Sequence, residues 1–376
     1  MRIALGLRGY VLISALAILS AGGVYAAINP SSPAKITLQF QDPDGPLRDL
    51  AWSPNGHQLV LSDSAGFRIM DSATGRITAT ITGLDNPIGA AGSVIGFTDG
   101  GARLILPGPP DPNGREALSI RDAQTGRQVG QIDNLYGKRP SDAANALSET
   151  PDGRLLVIST PFSLGAQIYD TRQKQVLFTI PGSVDISPLS FALDARGRFV
   201  AAALQDKALV VYNLPAFQLT GRTQIPLPLD QAFATALSFS PAGDQLALGF
   251  INAGVIQTTA ENGQVINVKS TWPRPPVYVW RLVNGVPQAP PKALCQPSAE
   301  GAIELIWLPD GSAIVYSDDQ GNVRLCQLNG GTDTMLLATQ PPVLQQLSLS
   351  PDGKYLAAGQ GFDIAIVQLP KLAGEH

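Results

Sequence analysis

Seven times along 376 residues a glycine closes a short polar turn between two apolar runs: Gly56, Gly101, Gly153, Gly197, Gly243, Gly311 and Gly353. Successive glycines stand 45, 52, 44, 46, 68 and 42 residues apart. The surrounding phrase is fullest at 347–360, LSLSPDGKYLAAGQ, and returns as LAWSPNGHQLVLSD at 50–63 and LSFSPAGDQLALGF at 237–250. A returning period of this length marks stacked copies of one supersecondary unit, which bury their faces only against one another.

Each turn follows a strand-like run. The position of Leu50 is held in the other copies by Ile95, Leu147, Phe191, Leu237, Leu305 and Leu347. The next, that of Ala51, is Gly96, Ser148, Ala192, Ser238, Ile306 and Ser348, small in six of seven. The third is Trp52, Phe97, Glu149, Leu193, Phe239, Trp307 and Leu349, with Glu149 the misfit. Alternation at period two is a β-strand. A strand wetted on one face alternates apolar with charged residues, so small uncharged residues on the second face predict that it too is covered. That is the requirement of sheets stacked radially about an axis.

Further β-branched and aromatic runs follow each turn, separated by Gly, Asp and Asn, so the unit reads as a four-stranded antiparallel meander. The last copy has only three strands: after FDIAIVQLP at 362–370 only KLAGEH remains as a tail at 371–376. KITLQF at 35–40 is a strand without a unit of its own. Placing it beside the last copy predicts an all-β, seven-bladed β-propeller over 35–370, closed by its N-terminal strand, with no open edge left by the closure.

The S-P-D-G-x-x-L-A phrase, together with the D-x-x-T-G phrase at Asp71–Gly75 and Asp122–Gly126, resembles WD-repeat proteins and related bacterial β-propellers. The only histidines are His57 and His376, and no third strand ends in Trp-Asp, so the eukaryotic Gly-His and Trp-Asp signatures are missing. The nearer likeness is to exported bacterial propellers of the translocation-protein or surface-layer type. What it implies for function is coarse, because propellers host unrelated tasks.

Arg2 and Arg8 precede an apolar run over 10–20, and VYAA at 24–27 offers Val24 and Ala26 as the small residues of a cleavage site. Residues 1–27 therefore read as an export signal, with an uncleaved membrane anchor as the alternative, and the expected location is the periplasm or outside the cell. Cys295 and Cys326 are the only cysteines. They read either as one disulfide or as two buried small hydrophobes. With a net charge of −4 and no Lys/Arg block, nothing offers a nucleic acid backbone its footprint. No phosphate loop or nucleophile elbow occurs, and two thiols without histidines make no metal site, so no cofactor is expected.

Candidate binding residues fall in two groups. In such a meander the turns joining strands one to two and three to four share one face of the ring. The other face carries the insertions at 107–116, 133–143 and 251–276, and loops of this kind carry function. Tyr136, Lys138, Arg139, Trp272 and Arg274 on that face are aromatic and cationic anchors of the interface type, or loop packing with extended cations. The second group precedes the buried Leu of strand one: the column Asp49, Val94, Ala146, Ser190, Ala236, Glu304 and Gln346 is long and polar only in blades one, six and seven, with Arg48 beside it. Asp49, Glu304 and Gln346 would meet at the mouth of the axial channel, as a site for a cation or polar ligand or as a solvated ion pair with Arg48. The chain is thus expected to be a monomeric, non-enzymatic scaffold that binds a protein or a cell-envelope component. The alternatives are a lactonase-like hydrolase or an oxidoreductase at the channel mouth, and a purely structural envelope component.

Overall fold

A computed structural model of the chain describes most of residues 35–370. Outside the described residues lie 1–34 and 371–376, connecting stretches (chiefly 42–46, 85–94, 109–116, 133–145, 161–164, 181–187, 227–231, 260–264, 270–274, 296–300 and 339–344) and a few single positions. The N-terminal export or anchor segment therefore falls outside them. Among the described residues no helix is long and apolar enough to cross a membrane.

Seven four-stranded antiparallel sheets follow one another in chain order. Blade one comprises Asp49–Trp52, Gln58–Ser62, Phe67–Asp71 and Ile77–Ile81, and blade two Gly96–Thr98, Arg103–Gly108, Ala117–Asp122 and Gln128–Ile132. Blade three runs from Ala146–Glu149 to Gln175–Thr179, blade four from Pro188–Leu193 to Gln218–Gln224, and blade six from Ala302–Trp307 to Asp333–Leu337. Blade seven takes Gln345–Leu349, Tyr355–Gln360 and Asp363–Gln368, and its fourth strand is Lys35–Gln41, paired from Lys35 opposite Gln368 to Gln41 opposite Asp363. The closure expected from the sequence is present: the head of the ring is hydrogen-bonded to its tail.

Closure works because each second strand is buried on both faces. Leu59 and Leu61 pack toward blade seven while Val60, between them, packs toward blade two. The same alternation gives one apolar cluster at every junction between neighbouring blades around the ring. With no wetted face on these strands, the small second column of strand one is explained by close approach of the next blade: Ser348 Oγ accepts the Trp52 amide across the closing junction at 2.9 Å. The misfit Glu149 also bonds across a junction, accepting from the Thr98 hydroxyl of blade two.

The repeated phrase is a self-closing turn. Ser53 is buried; its carbonyl accepts from Gly56 N at 2.9 Å and its hydroxyl accepts from Gln58 N at 2.9 Å. Ser240, Ser350 and Thr150 do the same in their own blades. All seven marker glycines have φ between 66° and 95°, the left-handed region in which a Cβ costs about 1–2 kcal/mol. Several also rest on a proline of the preceding blade, as Gly353 does on Pro309, where an added Cβ would lie 2.7 Å from the ring.

Blade five differs. Its first two strands, Ala232–Phe239 and Gln245–Asn252, are eight residues each, and the chain then forms a separate hairpin, Val255–Thr259 paired with Val265–Lys269. It returns as Val277–Val283 and Val286–Leu294. The insertion at 251–276 thus contains secondary structure of its own. Cys295, just beyond blade five, is bonded to Cys326 on the third strand of blade six, with Cα atoms 5.6 Å apart. Of the two readings open for these cysteines, the disulfide is the one present.

Candidate functional site: the axial channel mouth

First strands of neighbouring blades lie side by side about the axis. In register, Asp49 is opposite Ser62, Glu304 opposite Ser317 and Gln346 opposite Gly359, each one residue before its buried Leu. Blades six, seven and one are consecutive around the ring, so these three residues come to one sector of the channel. The innermost strands pair on one edge only, and side chains satisfy some of the remaining backbone groups. Glu304 Oε2 accepts the Leu347 amide of blade seven at 2.7 Å, and Asp49 Oδ1 accepts the adjacent Leu50 amide at 2.8 Å.

Glu304 is half-buried in this wall. Desolvation first, and then the neighbouring charge of Asp49, push its carboxyl up to about 8, against the smaller lowering effect of the Leu347 amide. At neutral pH the sector therefore holds a protonated carboxyl within electrostatic reach of Asp49. Such a pair can donate and accept at once, and offers less net charge to a metal than two carboxylates would. Among the described residues no group of three or more His, Cys, Asp and Glu could hold a metal ion. The sequence reading passed over Ser62 and Ser317, the register partners of Asp49 and Glu304; both hydroxyls are buried without a hydrogen-bond partner among the described residues. Their signal was the shared Ser-Asp ending of strand two in blades one and six.

Arg48, Tyr136, Lys138, Arg139, Trp272 and Arg274 lie outside the described residues. His57 stands in the turn between strands one and two of blade one, on the face away from the insertions. That face carries two interblade cavities, of about 570 and 480 Å³, and His57 lines both.

Seven antiparallel four-stranded blades, a closing N-terminal strand and a channel edged by first strands make this chain a seven-bladed β-propeller. Comparison with protein-family models and with curated proteins finds no match.

Proposed function

We propose that the chain is an exported, non-enzymatic binding scaffold whose partner, a protein or a cell-envelope component, docks on the ring face that carries the long insertions. One observation carries this reading: blade five extends its first hairpin and sends a separate two-stranded hairpin out of the second-to-third-strand connection. A two-stranded ribbon is at best marginally stable alone, so a partner that covers it supplies what the ring does not. The disulfide between blades five and six supports export, because such bonds persist in oxidising compartments.

The test is affinity capture from envelope extract with the intact chain and with residues 255–269 replaced by a short Gly-Ser link. A partner lost on replacement, while the melting transition of the ring is kept, supports the reading; identical captures overturn it. A second reading attaches to the channel mouth, where the protonated Glu304 beside Asp49 has the form of a general acid with a carboxylate neighbour. Hydrolysis of a lactone and ester panel that disappears in Glu304→Gln would favour it, and an inactive wild type would remove it.

A further inference from the structure

Two columns of the repeat meet at every junction: the third position of strand one in one blade, and the first residue of strand two in the blade before it. Both are aromatic at two junctions only, Phe239 with Phe199 between blades four and five, and Trp52 with Tyr355 between blades seven and one. The first pair is covered. The Val283–Val286 turn of blade five lies across it, with Gly285 so close that an added Cβ would sit 2.5 Å from the Phe199 ring. The second pair opens into the cavity of about 480 Å³, within the range of small-ligand sites.

The walls of that cavity are fixed by the chain's own bonds. Gly56 O accepts both Trp52 Nε1 at 3.0 Å and Ser72 Oγ at 2.8 Å, which ties the aromatic strand, its turn and the outer turn of blade one together. With its N–H spent internally, Trp52 can offer a ligand only ring surface. Leu38 and Ile366 of blade seven continue the apolar lining. At the rim, the Tyr355 hydroxyl, the His57 imidazole and the Asn55 amide nitrogen have no hydrogen-bond partner among the described residues, whereas Asn55 Oδ1 accepts from Ser53 Oγ and His57 N. Asp352 is already occupied by Ser350, Lys354 N and the Lys354 ammonium.

Aromatic surface below and hydroxyl-seeking groups around it, with the lining carboxylate of Asp352 already engaged, match a neutral pyranose, which has an apolar C–H face and a ring of hydroxyls. They match a proline-rich peptide less well, because such grooves read peptide carbonyls with a free donor and here the indole N–H is taken. We propose that the cleft between blades seven and one binds a neutral hexopyranose unit of a glycan, with Trp52 and Tyr355 as the stacking surface and His57, Asn55 and the Tyr355 hydroxyl as the hydroxyl-reading groups. The cleft lies on the face opposite the insertions, so the inference does not rest on the function proposed above.

The test titrates the folded ring with chitotetraose, cellotetraose, maltotetraose and mannotetraose by calorimetry, and with a proline-rich decapeptide. Expected is binding of at least one tetrasaccharide with a Kd of about 0.1–1 mM, weakened about tenfold or more in His57→Ala and in Tyr355→Phe and abolished in Ala73→Arg, which fills the cleft from its exposed rim. His57 and Ala73 are exposed, and Tyr355→Phe keeps the ring, so these variants should fold; their melting curves check it. Co-sedimentation with insoluble peptidoglycan, lost in the same variants, would place the pyranose on an envelope strand, and its absence would place it on a free oligosaccharide. No binding by any of the four sugars, binding indifferent to all three variants, or variant-sensitive binding of the peptide alone would overturn the proposal.

Discussion

The junctions between blades four and five and between blades seven and one start from the same ingredients and end differently. Each has an aromatic at both meeting columns, and each aromatic pair belongs to the apolar cluster of its junction. At the first, the outer turn of blade five is two residues long, Asn284 and Gly285, both with positive φ. Longer third and fourth strands carry it onto blade four, where Thr220 Oγ1 donates to Gly285 O at 3.3 Å and Gly221 makes room for Pro287. At the second, the outer turn of blade one folds back on itself. Asp71 Oδ1 accepts both the amide and the hydroxyl of Thr74, at 2.8 and 2.6 Å, and the same bonds hold the Asp71 carboxyl below the usual range. This turn meets blade seven at Gly75, where an added Cβ would lie 3.2 Å from Leu38, but leaves the aromatic pair uncovered, and a cavity remains beneath it. The outer turn, rather than the core, decides whether a junction is sealed.

The sharpest way to break this contrast is at the two glycines. Gly285→Ala should cost about 3 kcal/mol in urea unfolding, from left-handed backbone plus overpacking against Phe199. Gly56→Ala has comparable φ, but its nearest neighbour, Pro351, is 3.8 Å away, so only the backbone cost of about 1 kcal/mol is expected. Equal losses would show that the turn of blade five is not seated as described. Truncating the aromatics comes next: Phe199→Ala should lose about 3 kcal/mol, and Tyr355→Ala, whose ring already borders open space, about half as much.

Glu304 probes the axial side of the ring, where it joins blade six to blade seven beside Asp49 of blade one. Its carboxyl stays protonated in the folded ring up to about 8 but ionises near its ordinary value in the unfolded chain. Folding therefore takes up a proton between those two values, and stability falls as pH rises through that window, by at most about 1.4 kcal/mol per pH unit. Glu304→Gln, which keeps an acceptor for the Leu347 amide, should flatten this decline and be more stable than wild type at pH 8 by about 2 kcal/mol, with little difference at pH 5. Parallel pH profiles for the two proteins would show that the carboxyl is not held neutral. The smallest effect is expected from Ala73→Arg, within about 0.5 kcal/mol, since the side chain enters space that the fold leaves open.

Much of the ring is legible in the sequence. Repeated glycines imply repeated left-handed turns, since only glycine adopts that backbone without strain, and two-faced apolar strands imply neighbours on both sides. The missing strand of the last copy and the spare strand at 35–40 then leave one economical arrangement, and Lys35–Gln41 beside Asp363–Gln368 is that arrangement. The polar column was legible too, because register follows the turn: Asp49, Glu304 and Gln346 hold equivalent places. The cysteine pair was only half legible, since thirty-one residues of separation say nothing about distance until blades five and six are set side by side.

The cleft at the closing junction was not legible, nor was the protonation of Glu304. Trp52 and Tyr355 stand in the same columns as Phe239 and Phe199, and nothing in the columns says which pair is covered. That depends on how far an outer turn, two hundred residues away in sequence from one case to the other, leans over its neighbour. The carboxyl is likewise an ordinary glutamate until burial and a second carboxylate from another blade surround it. What a local rule governs, in turns, alternation and the number of copies, was written in the chain itself; what depends on the distance between blades, in cavities, sealed junctions and shifted protons, came into being only when the ring closed, because desolvation and steric cover are properties of assembled surfaces and not of any one segment.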